Sequence, residues 1–403
     1  MSRNPSDKMK DRRIWVSKKI SNNKYLLGCA FLHLINDGFF VLLYPLLPLI
    51  AEEFDLSFSR VGILRTAFSF SASVLQLPFS FLSEKLWEMM LLVGGIGWLS
   101  GGIVVMGLSG TFLSLIIFSV ISGLGGNIQH PVGSAFISRI YENRKRGSAI
   151  GVLNFSGDIG KIIYPLLVSA ILLSFHWRQC LIIIGASGLI IAALMGSMYR
   201  KSKETYQYKR KNSPEKFNGA WGVSSPVKFG VVSLIGIIDA IVRTALLTFI
   251  PFLFINKGLP SEQNGFLLTL LFIGGAGGKL GCGFMSDRFG MLKMIIITEV
   301  LTAVSIFMLP FISPAYIFFL LVGCGFVLNG TSTVLYTTIA ELVSPHGRSR
   351  GYGLFYTVYL SSEAIGPVVF GFIGDTLGLN WIFFMLAFIS IWIVPLAFAL
   401  KSR

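Results

Sequence analysis

The chain has 403 residues, of which 53% are hydrophobic and 13% charged, and its mean hydropathy is +0.72. Soluble domains carry about 25% charged residues, so a water-soluble enzyme, a disordered chain and a nucleic-acid binder are all excluded as expectations. The net charge of +15 comes from 34 Lys+Arg against 19 Asp+Glu; in a membrane protein such an excess records which loops face the cytosol.

Apolar runs near 25–50, 58–83, 89–108, 111–139, 147–173, 176–198, 228–255, 262–286, 291–311, 314–341, 350–374 and 380–400 predict twelve transmembrane spans, numbered 1 to 12 in that order. At about 20 residues each they need roughly 240 positions, which leaves short connections. Residues 1–24 are polar and basic and read as a cytosolic tail. No cleavable signal peptide is expected, because the first apolar run is too long for one. Segment 199–227 is basic, contains Pro214 and Pro226, and reads as a cytosolic linker between a bundle at 25–198 and a second at 228–400.

With both termini placed in the cytosol, 27 of the basic residues fall on that side and three, Arg60, Arg178 and Lys257, on the other. This distribution obeys the positive-inside rule and accounts for the charge without nucleic acid. The expected location is the inner (cytoplasmic) membrane. Cys29, Cys180, Cys282 and Cys324 all lie in apolar stretches without metal-ligand spacing, so they read as small packing residues.

The halves repeat. A shift of about 204 residues places Trp177 on Trp381 and Arg146-Gly147 on Arg350-Gly351, and a shift of about 203 places Pro48 on Pro251 and Glu84 on Asp287. Parallel six-helix halves are an architecture of secondary transporters, which bind substrate between the halves near the midplane. Between spans 8 and 9, Gly283-Phe-Met-Ser-Asp287-Arg288-Phe-Gly290-Met-Leu-Lys293 resembles the G-x-x-x-D-R-x-G-x-x-[RK] loop of the major facilitator superfamily. Glycines permit the tight turn, and the acid can latch a cytosolic gate by pairing with a base or a helix N-terminus. The copy after span 2 keeps an acid–base pair, Glu84 and Lys85, and loses the glycines.

A narrower resemblance covers residues 30–165. His33-Leu-Ile-Asn36-Asp37 with Pro45-Leu-Leu-Pro48, Ser73-Val-Leu-Gln76-Leu-Pro78 and His130-Pro131-Val-Gly133-Ser134-Ala135 resemble motifs of the fosmidomycin-resistance-type efflux family. The resemblance implies an all-α membrane protein of two pseudo-symmetric bundles that exports a small amphipathic or anionic compound. The sequence departs from that pattern at Leu77, inserted before Pro78, and at Ser119, where the superfamily usually carries an arginine.

Ionisable residues inside spans are costly, about 2.5–3.5 kcal/mol each on insertion scales, and mark function or pairing. His33 and Asp37 are four apart on one face of span 1. Together with Glu363 on span 11 they are the proton-coupling candidates. Asn36, Gln76, His130, Asp158, Lys161, Asp239, Arg243 and Lys279 are the cavity candidates, and Gly283, Asp287, Arg288, Gly290, Glu84 and Lys85 the cytosolic gate. Asp158/Lys161 and Asp239/Arg243 can each neutralise one another within a helix. Lys279 has no partner on its own helix and looks across the bundle to Asp158, Asp239 or Glu363. Arg65 reads as snorkelling outward, and Glu299 as peripheral on span 9.

Gly274-Gly-Ala-Gly-Gly-Lys279 fails the phosphate-loop spacing and lies within a span, so an ATP-driven pump is excluded. No nucleophile–base set, metal cluster or cofactor motif is visible. The expectation is a monomeric secondary transporter working by alternating access on a small-molecule substrate, coupled to protons or another ion in the lipid bilayer, with efflux first and organic-anion import second. A receptor or scaffold would need neither these embedded charges nor the half-chain repeat, and a membrane-embedded enzyme would need a catalytic constellation that the sequence does not carry.

Overall fold

In a bilayer no water reaches the backbone, so every apolar run must satisfy its own N–H and C=O groups, and a helix does so. The computed structural model is all-α and describes residues 5–141, 143–200, 223–343 and 348–401. Twelve helical passes run through the described residues in the predicted order. Span 1 is Pro5–Leu42, continued by a short turn into Leu47–Glu53; span 2 is Phe58–Val74 with Gln76–Lys85; span 3 is Glu88–Gly107. Span 4 joins Phe112–Leu124 to Ser134–Ile140 through a π-helical turn at Gln129–Gly133, and spans 5 and 6 are Asn143–Leu172 and Trp177–Arg200. In the second half, spans 7 to 10 are Pro226–Asn256, Asn264–Phe289, Met291–Met308 and Ile317–Leu342. Span 11 is Arg348–Ser362 with Ile365–Leu377, and span 12 is Leu379–Ile391 with Ile393–Phe398.

Eleven passes are long and apolar enough to cross a membrane. Span 2 is the exception among the described residues. Its first helix stops after 17 residues and carries Arg65 with several serines. Ser71 and Ser73 return their hydroxyls to the carbonyls of Phe68 and Ser69, at 3.0 and 3.2 Å, which makes a polar helix tolerable in an apolar setting. The helix of span 1 begins at Pro5, so its backbone continues through most of the segment read as a tail. Most of the expected linker, residues 201–222, lies outside the described residues. Just after it, Val223 bridges to Val343, and Ser224 N–H donates to Leu342 O at 2.8 Å.

Lipid tails are as apolar as leucine, so helix association rests on close packing and hydrogen bonds rather than on escape from water. Spans 1 and 5 show the closeness required. A Cβ on Gly160 would sit 2.0 Å from Leu34 O, and one on Gly157 would sit 2.5 Å from Asp37 Oδ2. Only glycine lets span 5 lie against the charged face of span 1.

The two halves meet mainly at the end away from the basic loops, here the far end. One apolar core runs through both halves, from Phe39 and Phe68 to Phe249, Leu268, Phe370 and Phe383. Toward the basic end, the second half instead forms a separate cluster around Val232, Ile235, Met294, Ile339 and Phe355. The polar contacts between halves follow the same asymmetry. Thr66 Oγ1 donates to Ala364 O at 2.5 Å, Thr269 Oγ1 to Ile162 O at 3.0 Å, and Phe266 N–H to Ser169 Oγ at 2.9 Å. At the tip, Asp375 of span 11 accepts from the N–H groups of Phe58 and Ser59, at 2.7 and 3.0 Å, and so caps the first turn of span 2.

Removing that cap should weaken far-end closure. Asp375→Ala costs about 1 kcal/mol, a roughly fivefold shift toward the far-open form. A cysteine placed at Leu247 on the cavity wall should then react about fivefold faster with an impermeant maleimide added from the far-end side.

Candidate functional site

A cavity of about 550 Å³ lies between the halves, walled by spans 1, 2, 4, 5, 7, 8, 10 and 11. His33, Asp37, His130, Asp158, Lys161, Arg243, Lys279 and Glu363 all line it, as the sequence proposes. Asn36, Gln76 and Asp239 do not.

Asp37 is the hub of the first half. It is 4% exposed, and its Oδ2 meets Lys161 Nζ at 2.9 Å. Its Oδ1 accepts from Asn36 Nδ2 at 3.1 Å. The Nε2 atoms of His33 and His130 lie 3.8 and 3.5 Å from that same oxygen. The imidazoles meet edge to face with ring centres 4.7 Å apart. Asn36 thus stands behind the cavity wall, and it also accepts from Asn127 N–H at 3.2 Å. Asn127 adopts a left-handed φ of 57°, which asparagine tolerates better than most residues. Just beyond it, Pro131 has no N–H to offer and the helix widens into its π turn. This local break brings His130 beside Asp37, while Gln129 turns away and donates to Leu92 O at 2.9 Å.

The expected self-pair on span 5 is present as one link in a longer chain of alternating charges. Lys161 is closer to Asp37 than to Asp158, from which it stands 3.6 Å. Asp158 accepts from Lys279 of span 8 at 2.5 Å. Asp37, Lys161, Asp158 and Lys279 therefore run from the first half into the second. The side chains of Lys161 and Lys279 are each 30% exposed, so the chain is wetted from the cavity.

In the second half Arg243 pairs with Asp239, which also accepts from the Tyr359 hydroxyl at 3.1 Å. Asp239 sits behind Arg243, and only the arginine reaches the cavity. Glu363 lines the cavity in electrostatic range of Arg243 and Arg65, and its carboxylate makes no hydrogen bond or ion pair among the described residues.

Two further positions differ from the sequence reading. Arg65 does not snorkel; it is 4% exposed, lines the cavity, and donates from Nη2 to the Tyr44 hydroxyl at 2.8 Å. The signal was available in its serine-rich helix, which suits a polar cavity better than lipid. Glu299 is not peripheral; it is 2% exposed, with Thr331 of span 10 beside its carboxylate.

Among the gate candidates, Gly290 takes a left-handed φ of 87° and accommodates the turn between spans 8 and 9. Asp287 and Arg288 are exposed and make no ion pair among the described residues. The side chains of Glu84 and Lys85 lie outside the described residues. His33, Asp37 and His130 also offer three donor atoms within 4.8 Å of one another, but Lys161 already occupies the carboxylate from its other side.

Two helical bundles joined at one end, around a wet cavity of paired charges, define a secondary transporter of the alternating-access class. The chain belongs to the Major Facilitator Superfamily, whose family model matches residues 26–229 and 232–403. It is therefore a multi-pass membrane carrier of small molecules, not an enzyme. It is 24% identical to the fosmidomycin resistance protein of Escherichia coli (strain K12), over 91% of this chain and 90% of that one. It is 25% identical to the hexuronate transporter of Bacillus subtilis (strain 168), over 82% and 83% of the two chains. A probable sulfoacetate transporter of Cupriavidus necator is 23% identical, over 82% of each. Among solved structures, an inward-facing bacterial homologue of the human lysosomal transporter Spinster superposes with a TM-score of 0.73 at 16% identity. That match covers 94% of this chain and 97% of the other.

Breaking the inter-half ion pair should leave a charge stranded. Asp158→Asn strips Lys279 of its partner, at a cost of about 1–2 kcal/mol once partial solvent exposure is allowed for. The double variant Asp158→Asn/Lys279→Met should recover part of the loss, read as melting temperature in detergent.

Proposed function

We propose that the protein is a proton-coupled carrier that takes up a small organic anion together with a proton. The observation that carries this reading is the alternation of two carboxylates and two ammonium groups along Asp37, Lys161, Asp158 and Lys279. The four charges cancel. Protonating Asp37 leaves two cations facing one carboxylate, and an anionic solute restores the balance. Proton and anion therefore assist each other's binding, and both cross in the same direction. Asp37 and the imidazoles of His33 and His130 at its Oδ1 form a cluster of three protonatable groups that can take on that proton duty. Glu363 is the second proton site.

Proton loading also loosens the tie between the halves. Lys161, freed from Asp37, moves its charge toward Asp158 and weakens the hold of Asp158 on Lys279. The halves then rock about the cavity. In this reading residues 25–198 and 228–400 are the moving bundles and 199–227 is the linker. The basic loops and both termini lie in the cytosol, the inner membrane is the location, and the cavity opens inward. The loop from Gly283 to Gly290 and the pair Glu84/Lys85 close the cytosolic side in the opposite state. The names of the relatives for hexuronate and sulfoacetate support an anionic substrate.

Export of a drug in exchange for protons is the second reading, favoured by the span 1, 2 and 4 motifs and by the relative named for fosmidomycin resistance. Exchange requires solute and proton to displace one another from the cavity.

Proteoliposomes with an imposed inward proton gradient test the first reading. Uptake of radiolabelled sulfoacetate or glucuronate should rise with the gradient, and Asp37→Asn should lose at least about tenfold of that response. Full gradient response in Asp37→Asn removes Asp37 from coupling. Raised fosmidomycin tolerance in expressing cells, without anion uptake, favours export.

A further inference from the structure

The cavity holds a guanidinium whose hydrogen-bonding capacity is largely unused. Arg65 is almost fully buried, yet among the described residues its Nε and Nη1 atoms have no acceptor. Only Nη2 is engaged, by the Tyr44 hydroxyl. The group lies against two aromatic rings, with its Cζ 4.3 Å from the Tyr44 centroid and 5.6 Å from that of Phe68. No carboxylate among the described residues forms an ion pair with it. A buried, rigid and uncompensated guanidinium is expensive to maintain, and its planar fork is matched in geometry to an oxyanion.

A second guanidinium faces the same space from the other half. Arg243 spends its Nη2 on Asp239, while its Nε has no acceptor among the described residues. Tyr44, Arg65, Arg243 and Glu363 all line this one cavity, with Arg65 tied to Tyr44. Tyr336 and Tyr359 line the same wall, and the Arg243 Cζ lies 5.6 Å from the Tyr359 centroid. Among the described residues, Glu363 is the only carboxylate lining the cavity that is not already paired with a cation.

We propose that Arg65 and Arg243 form an oxyanion-binding subsite for a carboxylate, sulfonate or phosphonate end group of the substrate, with Glu363 as the resident group that competes for it. The proposal deepens the carrier reading and rests on it for the anionic character of the solute. Because Arg65 belongs to the first half and Arg243 to the second, a bound oxyanion bridges the two bundles. The Glu363 carboxylate repels an incoming anion, and neutralising it opens the subsite.

Thermal unfolding of the purified full-length protein in detergent, at fixed ionic strength, tests this. Sulfoacetate and glucuronate serve as oxyanion probes and glucose as the uncharged control. Both oxyanions should stabilise the wild type and glucose should not. Arg65→Lys retains the charge without the fork and should weaken oxyanion binding at least about tenfold. Glu363→Gln should tighten it, a direction that a merely structural role would not produce. No stabilisation by either oxyanion, equal stabilisation by glucose, unchanged binding in Arg65→Lys, or weaker binding in Glu363→Gln overturns the subsite. Since the last variant leaves both arginines in place, misfolding of an arginine variant does not decide the matter. Oxyanion binding with uptake indifferent to the proton gradient sinks the coupling and leaves the subsite standing.

Discussion

The fold is organised around the cost of placing charge where water is scarce. Each ionised group within the spans must find an opposite charge, a hydrogen bond or a wetted surface. The chain meets this demand with a line of alternating charges that begins at Asp37 on span 1 and ends at Lys279 on span 8. The glycines of span 5 follow from it, because Lys161 reaches Asp37 only if the helices nearly touch at Gly157 and Gly160. The broken span 4 follows as well, since an unbroken helix through Pro131 would not carry His130 to the same oxygen. Because the line crosses from one half to the other, the electrostatics of the cavity and the relative position of the bundles are one variable.

The architecture was readable because its signals are long. Twenty-residue apolar runs, a basic-residue imbalance and a half-chain repeat survive errors at individual positions. The site was legible in part. Buried charges identify themselves by being out of place, and most of those singled out do line one cavity. Their partners were less legible, because pairing depends on angles between helices that no helical repeat encodes. Spacing joined Lys161 to Asp158 and named Asp158 among three possible partners of Lys279; the fold picks Asp158 for Lys279 but gives Lys161 mainly to Asp37. Arg65 was read outward because two turns from a helix end is within snorkelling reach of the interface. The packing of span 2 against span 11 turns it inward. Glu299 shows the same limit, since span number alone does not say which face of a peripheral helix looks into its bundle.

The repeat carries a further lesson. Sequence-equivalent positions need not hold equivalent jobs. Trp177 is wholly buried and donates to Glu53 at 2.6 Å, whereas Trp381, its counterpart, is 44% exposed. The halves share a helix plan and diverge in chemistry. The first concentrates histidines and a carboxylate–lysine pair, and the second concentrates tyrosines around an arginine.

The clasp at Asp375 has an additional implication. A side chain from one bundle completes the opening turn of a helix in the other, so the seal resembles a zipper pull more than a greasy plug. Parting it uncovers two amide hydrogens and the positive pole of a helix, both of which water hydrates readily. The rim then carries a polar share of the work of unsealing, about 1 kcal/mol for the Asp375 cap, and the hydrocarbon interior beneath separates behind it as a fray that starts from its edge.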